Sequence, residues 1–235
     1  GLVVGHAELL GLGWWVRDES VLLWQSNAMP RPTGEHTSHT GEAAAPGAGL
    51  AEIYDEFATT YASKRDSFDL SAILDAFSAR LPPVGRLCDL GCGAGQPVCA
   101  YFLEHGWGVV GVDFSAGMLE IAARELPELT TIHADIRAAD FPEESCDAVT
   151  MVYCLFHIPW REHSVIFARI RQWLRPGGEL LFTYATRAYT GSDEFEGTKE
   201  FMGHELFYSH TTDERLTAQL VAANLSVVGM ENHEI

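Results

Sequence analysis

Apolar residues in this chain recur first at helical spacing and then in short blocks. Residues 50–62 carry Leu50, Ile53, Tyr54, Phe57 and Tyr61, and residues 70–81 carry Ile73, Leu74, Phe77 and Leu81 ahead of Pro82-Pro83. Both patterns predict helices with one apolar face, the second stopped by the prolines. From residue 86 the pattern alternates. Strand-like blocks cover 86–90, 108–112, 130–133, 148–153, 179–184 and 225–230; helical stretches cover 96–104, 116–124, 162–174 and 213–223. Such alternation predicts a doubly wound α/β fold, a mostly parallel sheet with helices on both faces. Upstream, two runs rich in Leu, Trp and Val flank the polar Arg17-Asp18-Glu19-Ser20, which reads as a β-hairpin.

Between these patterns lies a stretch without one. Residues 30–49 hold Pro, Thr, Gly, His, Ala and Ser with almost no large apolar side chain, too little to offset the entropy of ordering, so a flexible linker is expected over 29–49, with His36 and His39 solvated. Ser26-Asn27-Ala28 ahead of Met29 looks like the scar of an expression tag, which sets residues 1–28 apart as a tag-like or extra segment and leaves 50–235 as the folded domain. At 235 residues and 47% hydrophobic content the chain suits one α/β domain with extensions.

The first strand of the alternating region ends in Leu87-Cys88-Asp89-Leu90-Gly91-Cys92-Gly93-Ala94-Gly95, followed by Gln96-Pro97. Three glycines at alternate positions between a strand and a helix allow a sharp turn and a close backbone approach to a ligand at the strand's carboxyl end. The dinucleotide fingerprint Gly-x-Gly-x-x-Gly does not fit, because its third glycine would fall on Gln96 or Val98. A carboxylate leading into the loop, Asp89, would repel a pyrophosphate and attract an ammonium or sulfonium. Asp113 closes the second strand, 24 residues on, where two carboxylate oxygens match the two hydroxyls of a ribose. A third acid, Asp135, follows the third strand in Ala134-Asp135-Ile136.

Asp-x-Gly-x-Gly-x-Gly at 89–95, the three strand-end acids and Leu-Arg-Pro-Gly-Gly at 174–178 together resemble the class I S-adenosylmethionine-dependent methyltransferases, over about residues 50–230 and most specifically over 87–184. The resemblance implies a seven-stranded sheet whose last strand is antiparallel and inserted between the fifth and sixth. Since the sequence given ends just after the sixth strand, residues 21–25 or another part of the N-terminal segment are expected to fill that place. It further implies a helical cap over 50–83 and a lid over 186–212. The cofactor would be held by Tyr61, Asp89, Gly91, Cys92, Gly93, Gly95, Asp113, Phe114, Met118, Asp135, Ile136 and Tyr153: Asp113 on the ribose, Asp135 and the Ile136 N–H on the adenine, Phe114 and Met118 against its ring. No metal is implied.

His157, beyond the fourth strand where the methyl group would lie, and His210, in the lid, are the candidate general bases. The Asn/Asp-Pro-Pro-Tyr/Phe motif of enzymes that methylate planar nitrogens is missing, and the aromatic lid suits a small apolar or planar acceptor. A net charge of −18, from 15 basic against 33 acidic residues, argues against nucleic acid or an anionic membrane as partner. Five cysteines without a Cys-x-x-Cys pair read as free thiols in a reducing cytoplasm. The expected activity is methyl transfer from S-adenosylmethionine to a small-molecule oxygen, nitrogen or carbon, leaving S-adenosylhomocysteine, by a monomer or homodimer. A non-catalytic binder of the same cofactor and a nucleotide-dependent oxidoreductase are the rival readings.

Overall fold

The computed structural model describes residues 12–17, 21–26, 49–65 and 69–233. The linker expected over 29–49, with His36 and His39, lies outside the described residues apart from Gly49. The chain runs β1 (Leu12–Arg17), β2 (Val21–Ser26), α1 (Leu50–Arg65), α2 (Ser71–Ser78), β3 (Arg86–Leu90), α3 (Val98–Glu104), β4 (Gly108–Asp113), α4 (Ala116–Glu125), β5 (Thr130–His133), β6 (Cys146–Met151), α5 (His163–Trp173), β7 (Leu174–Tyr184), α6 (Arg187–Thr190), β8 (Phe195–Phe201), β9 (His204–His210), α7 (Asp213–Ala222) and β10 (Ser226–His233).

Strands β3 to β7 form one parallel sheet in the order β5-β4-β3-β6-β7. Successive side chains of a strand face opposite sides, and each side has its own core. Cys88, Leu90, Val149, Met151, Leu180 and Phe182 meet α5 and α7 through Ile166, Phe167, Ile170, Leu216 and Leu220. Leu87, Ala148 and Leu181 meet α2, α3 and α4 through Leu74, Phe77, Phe102 and Leu119. Burial on both faces explains why the strands read as continuous apolar blocks.

The expectation of seven strands is corrected to five in the parallel sheet. The sixth predicted strand, β10, pairs instead with the N-terminal strands, antiparallel to β1 and parallel to β2, while β1 and β2 pair antiparallel with each other. β1 also runs alongside β7, so the N-terminal segment lies beside both strands between which it was expected, chiefly through residues 12–17 rather than 21–25. Part of the tag-like segment is therefore built into the β structure. Apolar patterning locates strands but carries no information on which edge each one meets.

A second finding concerns residues 186–212, expected as a lid with no element assigned. They form α6 and the hairpin β8–β9, turned by Met202 and Gly203 at φ 53° and 84°, two consecutive positive values as in a type I′ turn. Phe201, Leu206 and Tyr208 of this hairpin pack with Leu50 and Phe57 of α1 and with Phe156. A further correction concerns the cysteines. Cys88 and Cys146 join the neighbouring strands β3 and β6 as a disulfide, while Cys92, Cys99 and Cys154 are free thiols.

Glu179 of β7 is 1% exposed and held by Arg80 through bonds of 2.9 and 3.2 Å. Removing the cation takes the guanidinium away from a buried carboxylate, although Arg80 itself is partly open to solvent. Arg80→Met is expected to lower the unfolding free energy by about 2–3 kcal/mol in urea titrations; a loss below about 0.5 kcal/mol would show that water replaces the guanidinium without cost.

Candidate functional site

The carboxyl ends of β3, β4, β5 and β6 open into one cavity, walled on the far side by α1. Its floor is the glycine loop. The N–H groups of Gly91 and Cys92 donate to the Val112 carbonyl at 2.7 and 3.0 Å, which stitches the loop to β4. Gly91 has φ +75°, and a Cβ there would lie 2.5 Å from the Cys154 Cβ. Gly93 has φ +53° and open space where its Cβ would be, so the backbone itself faces the cavity. Gly95 has a packing role: a Cβ would meet Leu126 at 2.6 Å, and the residue does not border the cavity.

Asp113 borders the cavity and is 8% exposed. One carboxylate oxygen accepts the Gly93 N–H and the other the Ser115 N–H, both at 2.8 Å. Burial raises its pKa to about 6, against the lowering effect of these N–H donors. Ser115 in turn donates its hydroxyl to Asp55 of α1 at 2.6 Å, and Asp55 also accepts the Gly117 N–H at 2.8 Å. These bonds hold the Asp55 carboxyl below its ordinary pKa, the Ser115 hydroxyl contributing most. A carboxylate on an otherwise ordinary amphipathic helix gave no signal of this role in the sequence.

Asp89 is placed differently from the expectation. It is 3% exposed and sits beneath the loop, accepting Thr150 Oγ1 at 2.7 Å and Cys99 Sγ at 3.1 Å, and it does not border the cavity. A strand-end acid adjoining a glycine loop can face the ligand or support the loop, and sequence spacing does not separate the two. Asp135 does border the cavity, with both oxygens engaged by Arg137, the shortest contact being 2.6 Å. Burial raises its pKa, but the Arg137 bonds outweigh that and leave it below the ordinary carboxylate value. Arg137, which also reaches Glu162 at 3.6 Å, lines the same wall and was not foreseen.

Tyr61, Cys92, Phe114, Met118, Ile136, Tyr153 and His157 all line the cavity as expected. Tyr153 adopts φ +60° and donates its N–H to Thr183 Oγ1 at 2.6 Å, a strained conformation held at the end of β6. His157 donates from Nδ1 to the Phe207 carbonyl at 2.7 Å, and its Nε2 lies 2.9 Å from the Tyr54 hydroxyl. Burial lowers its pKa to about 4, against the raising effect of the Phe207 bond, so the ring is neutral at physiological pH. His210 is elsewhere. It is 1% exposed, bonded to Thr190 Oγ1 at 2.7 Å and outside this cavity, which removes it as a base for chemistry there.

Phosphate-free adenosine derivatives fit these residues. The buried Asp113 carboxylate is short of solvation and would gain from two hydroxyl donors. The cavity carries Glu52, Asp113 and Asp135 against Arg137, an acidic balance suited to a cation.

Residues 87–178 match the family described as "Methyltransferase domain". The demethylmenaquinone methyltransferase of Renibacterium salmoninarum is 30% identical over 139 residues, 56% of this chain and 56% of that protein. The chain thus spans about half the length of the curated relatives it matches. Among solved structures, an S-adenosylmethionine-dependent methyltransferase from Mesorhizobium loti superposes with a TM-score of 0.56 at 23% identity, covering 68% of this chain and 82% of the other. The 1,6-didemethyltoxoflavin-N1-methyltransferase of Burkholderia thailandensis, solved with S-adenosylhomocysteine, gives a TM-score of 0.51 at 23% identity, covering 82% and 87%. At these identities the structures speak for the fold.

Proposed function

We propose, from the premise that residues 87–178 are a methyltransferase domain of class I fold, that the chain transfers a methyl group from S-adenosylmethionine to a small-molecule acceptor. The observation that carries this reading is the pairing of Gly93 and Asp113. An exposed backbone at positive φ and a buried carboxylate are bonded to each other at 2.8 Å on the cavity floor. That pair suits the ribose of an adenosine ligand beside a close-lying chain, and Gln96 and Val98, standing where the third glycine of Gly-x-Gly-x-x-Gly would fall, weigh against a dinucleotide.

When bound, S-adenosylmethionine supplies the activated methyl group. Asp113 would accept the ribose hydroxyls, with Asp135, the Ile136 N–H and the Phe114 and Met118 side chains around the adenine. Tyr61, Tyr153 and the Gly91–Gly93 backbone would line the remainder, and α1 with β8–β9 would act as cap and lid that exclude water. No helix among the described residues is long and apolar enough to cross a membrane. We also propose a monomer or homodimer, with 33 acidic against 15 basic residues weighing against nucleic acid as a partner.

Calorimetric titration of the full chain is the test. S-adenosylhomocysteine is expected to bind at least about 100-fold more tightly than NADH, a gap of about 2.7 kcal/mol. Equal affinities, or tighter NADH, would return the site to the oxidoreductase reading.

A further inference from the structure

The hydrogen-bond polarity at the β6 end of the cavity carries a statement about the acceptor. The ribose contact at Asp113 lies on β4 and the adenine contacts on β5, so a cofactor laid across the sheet order reaches the methyl end over β3 and β6. His157 and Tyr54 stand at that end, both bordering the cavity. The imidazole proton is committed: Nδ1 lies 2.7 Å from the Phe207 carbonyl, which only accepts, so Nδ1 carries the hydrogen and Nε2 is a lone pair. The Tyr54 hydroxyl, 2.9 Å from that lone pair, must donate to it. Any bond its oxygen makes to a group in the cavity is therefore made as an acceptor. Tyr61, Phe114, Val152 and Ile158 make the surroundings aromatic and apolar.

We infer that Tyr54 and His157 form a proton relay for an acceptor bearing a neutral hydroxyl on a planar, apolar scaffold, phenolic or enolic in type. This rests on the methyltransferase reading above. The substrate O–H donates to Tyr54 Oη. As a lone pair of the substrate oxygen forms the new bond to the methyl carbon, the sulfur–methyl bond breaks and its electron pair stays on sulfur. The substrate proton passes to Tyr54 Oη while the Tyr54 proton passes to His157 Nε2. The step ends with a methyl ether, a neutral thioether and an imidazolium that returns its proton to water.

Two rival acceptors fit less well. An ionised carboxylate brings no proton and would face two acceptor atoms. An alkyl amine arrives as its ammonium, which has no lone pair until a proton leaves, and the desolvated imidazole is too weak a base to take that proton first. A methylated hydroxyl is a strong acid, and even a weakly basic imidazole removes its proton. Desolvation of His157, which makes it weakly basic, is no obstacle in that case alone.

The test uses the full chain, labelled with ¹⁵N-histidine, saturated with S-adenosylhomocysteine and titrated with 7-hydroxycoumarin, whose neutral and anionic forms fluoresce separately. His157 is expected to show a protonated Nδ1 and a lone-pair Nε2. The bound coumarin is expected to stay neutral, with its ionisation midpoint raised by about one pH unit or more over water. Tyr54→Phe should abolish that rise, and His157→Gln gives a second reading should the first variant fold poorly. In turnover, 7-hydroxycoumarin should be methylated in preference to 7-aminomethylcoumarin and coumarin-3-carboxylate. An Nε2-protonated His157, a coumarin bound as its anion, a rise retained in both variants, or no uptake of the coumarin by the saturated chain would each overturn the relay. Failure of S-adenosylhomocysteine to bind would count against the methyltransferase reading instead, and the histidine tautomer would still decide the hydrogen-bond polarity.

Discussion

Asp113→Ala is expected to weaken S-adenosylhomocysteine binding by about 100- to 10,000-fold. The carboxylate would lose two charge-assisted bonds to ribose hydroxyls, each worth roughly 1.5–3 kcal/mol, and Gly93 and Ser115 would lose the acceptor that fixes their N–H groups. Calorimetry at neutral pH reads the change directly; a loss below about threefold, with the fold intact by circular dichroism, would show that the ribose lies elsewhere. The same group makes binding pH-dependent. Its pKa in the ligand-free fold is raised to about 6 by burial. Hydroxyl donors favour the charged form and pull that value down, so binding should release close to half a proton near pH 6 and almost none at pH 8. Titrations in buffers of different ionisation enthalpy measure this. For stability the sign is opposite to that of a salt-bridged acid. The Asp113 contribution is fully present below pH 3.8, the unfolded value, and is lost as pH rises through about 6. Saturating ligand should flatten that loss.

The second large effect is expected at Gly91. Gly91→Val places a β-branched side chain at φ +75° with its Cβ 2.5 Å from that of Cys154. Backbone strain of about 1–3 kcal/mol and overpacking of about 1–3 kcal/mol should together cost about 3–5 kcal/mol of stability, a large part of what a domain has. Adding Cys154→Gly removes the atom struck and should recover the packing share while leaving the strain. A thermal melt within about 2 °C of the parent for Gly91→Val alone would mean that the loop yields freely.

The sheet, its five parallel strands and the loop at the end of β3 were legible because their signals are local: apolar blocks, alternating glycines, an acid at the end of three of the strands. Asp113, Asp135 and His157 could be placed at strand ends by counting, and the structure brings them to one cavity. What was not legible depends on neighbours remote in sequence. Asp89 faces the right edge of the sheet, but the Thr150 hydroxyl, 61 residues on, draws it under the loop. His210 stands in an aromatic segment facing the site, yet the β8–β9 register turns its ring to Thr190. Tyr54 and Asp55 are adjacent on α1, one bonded to His157 and the other to Ser115, and nothing in helical periodicity separates such residues from ordinary ones.

The bonds from Asp55 to Ser115 and from Ser115 to Asp113 have a thermodynamic consequence. Seating of α1 and affinity for the adenosine moiety are two ends of a single linkage. By reciprocity, whatever factor the bound nucleoside adds to the docking of that helix, the docked helix must return to the nucleoside. Protease sensitivity of the 49–65 segment, followed against ligand concentration, should therefore titrate with the binding isotherm itself.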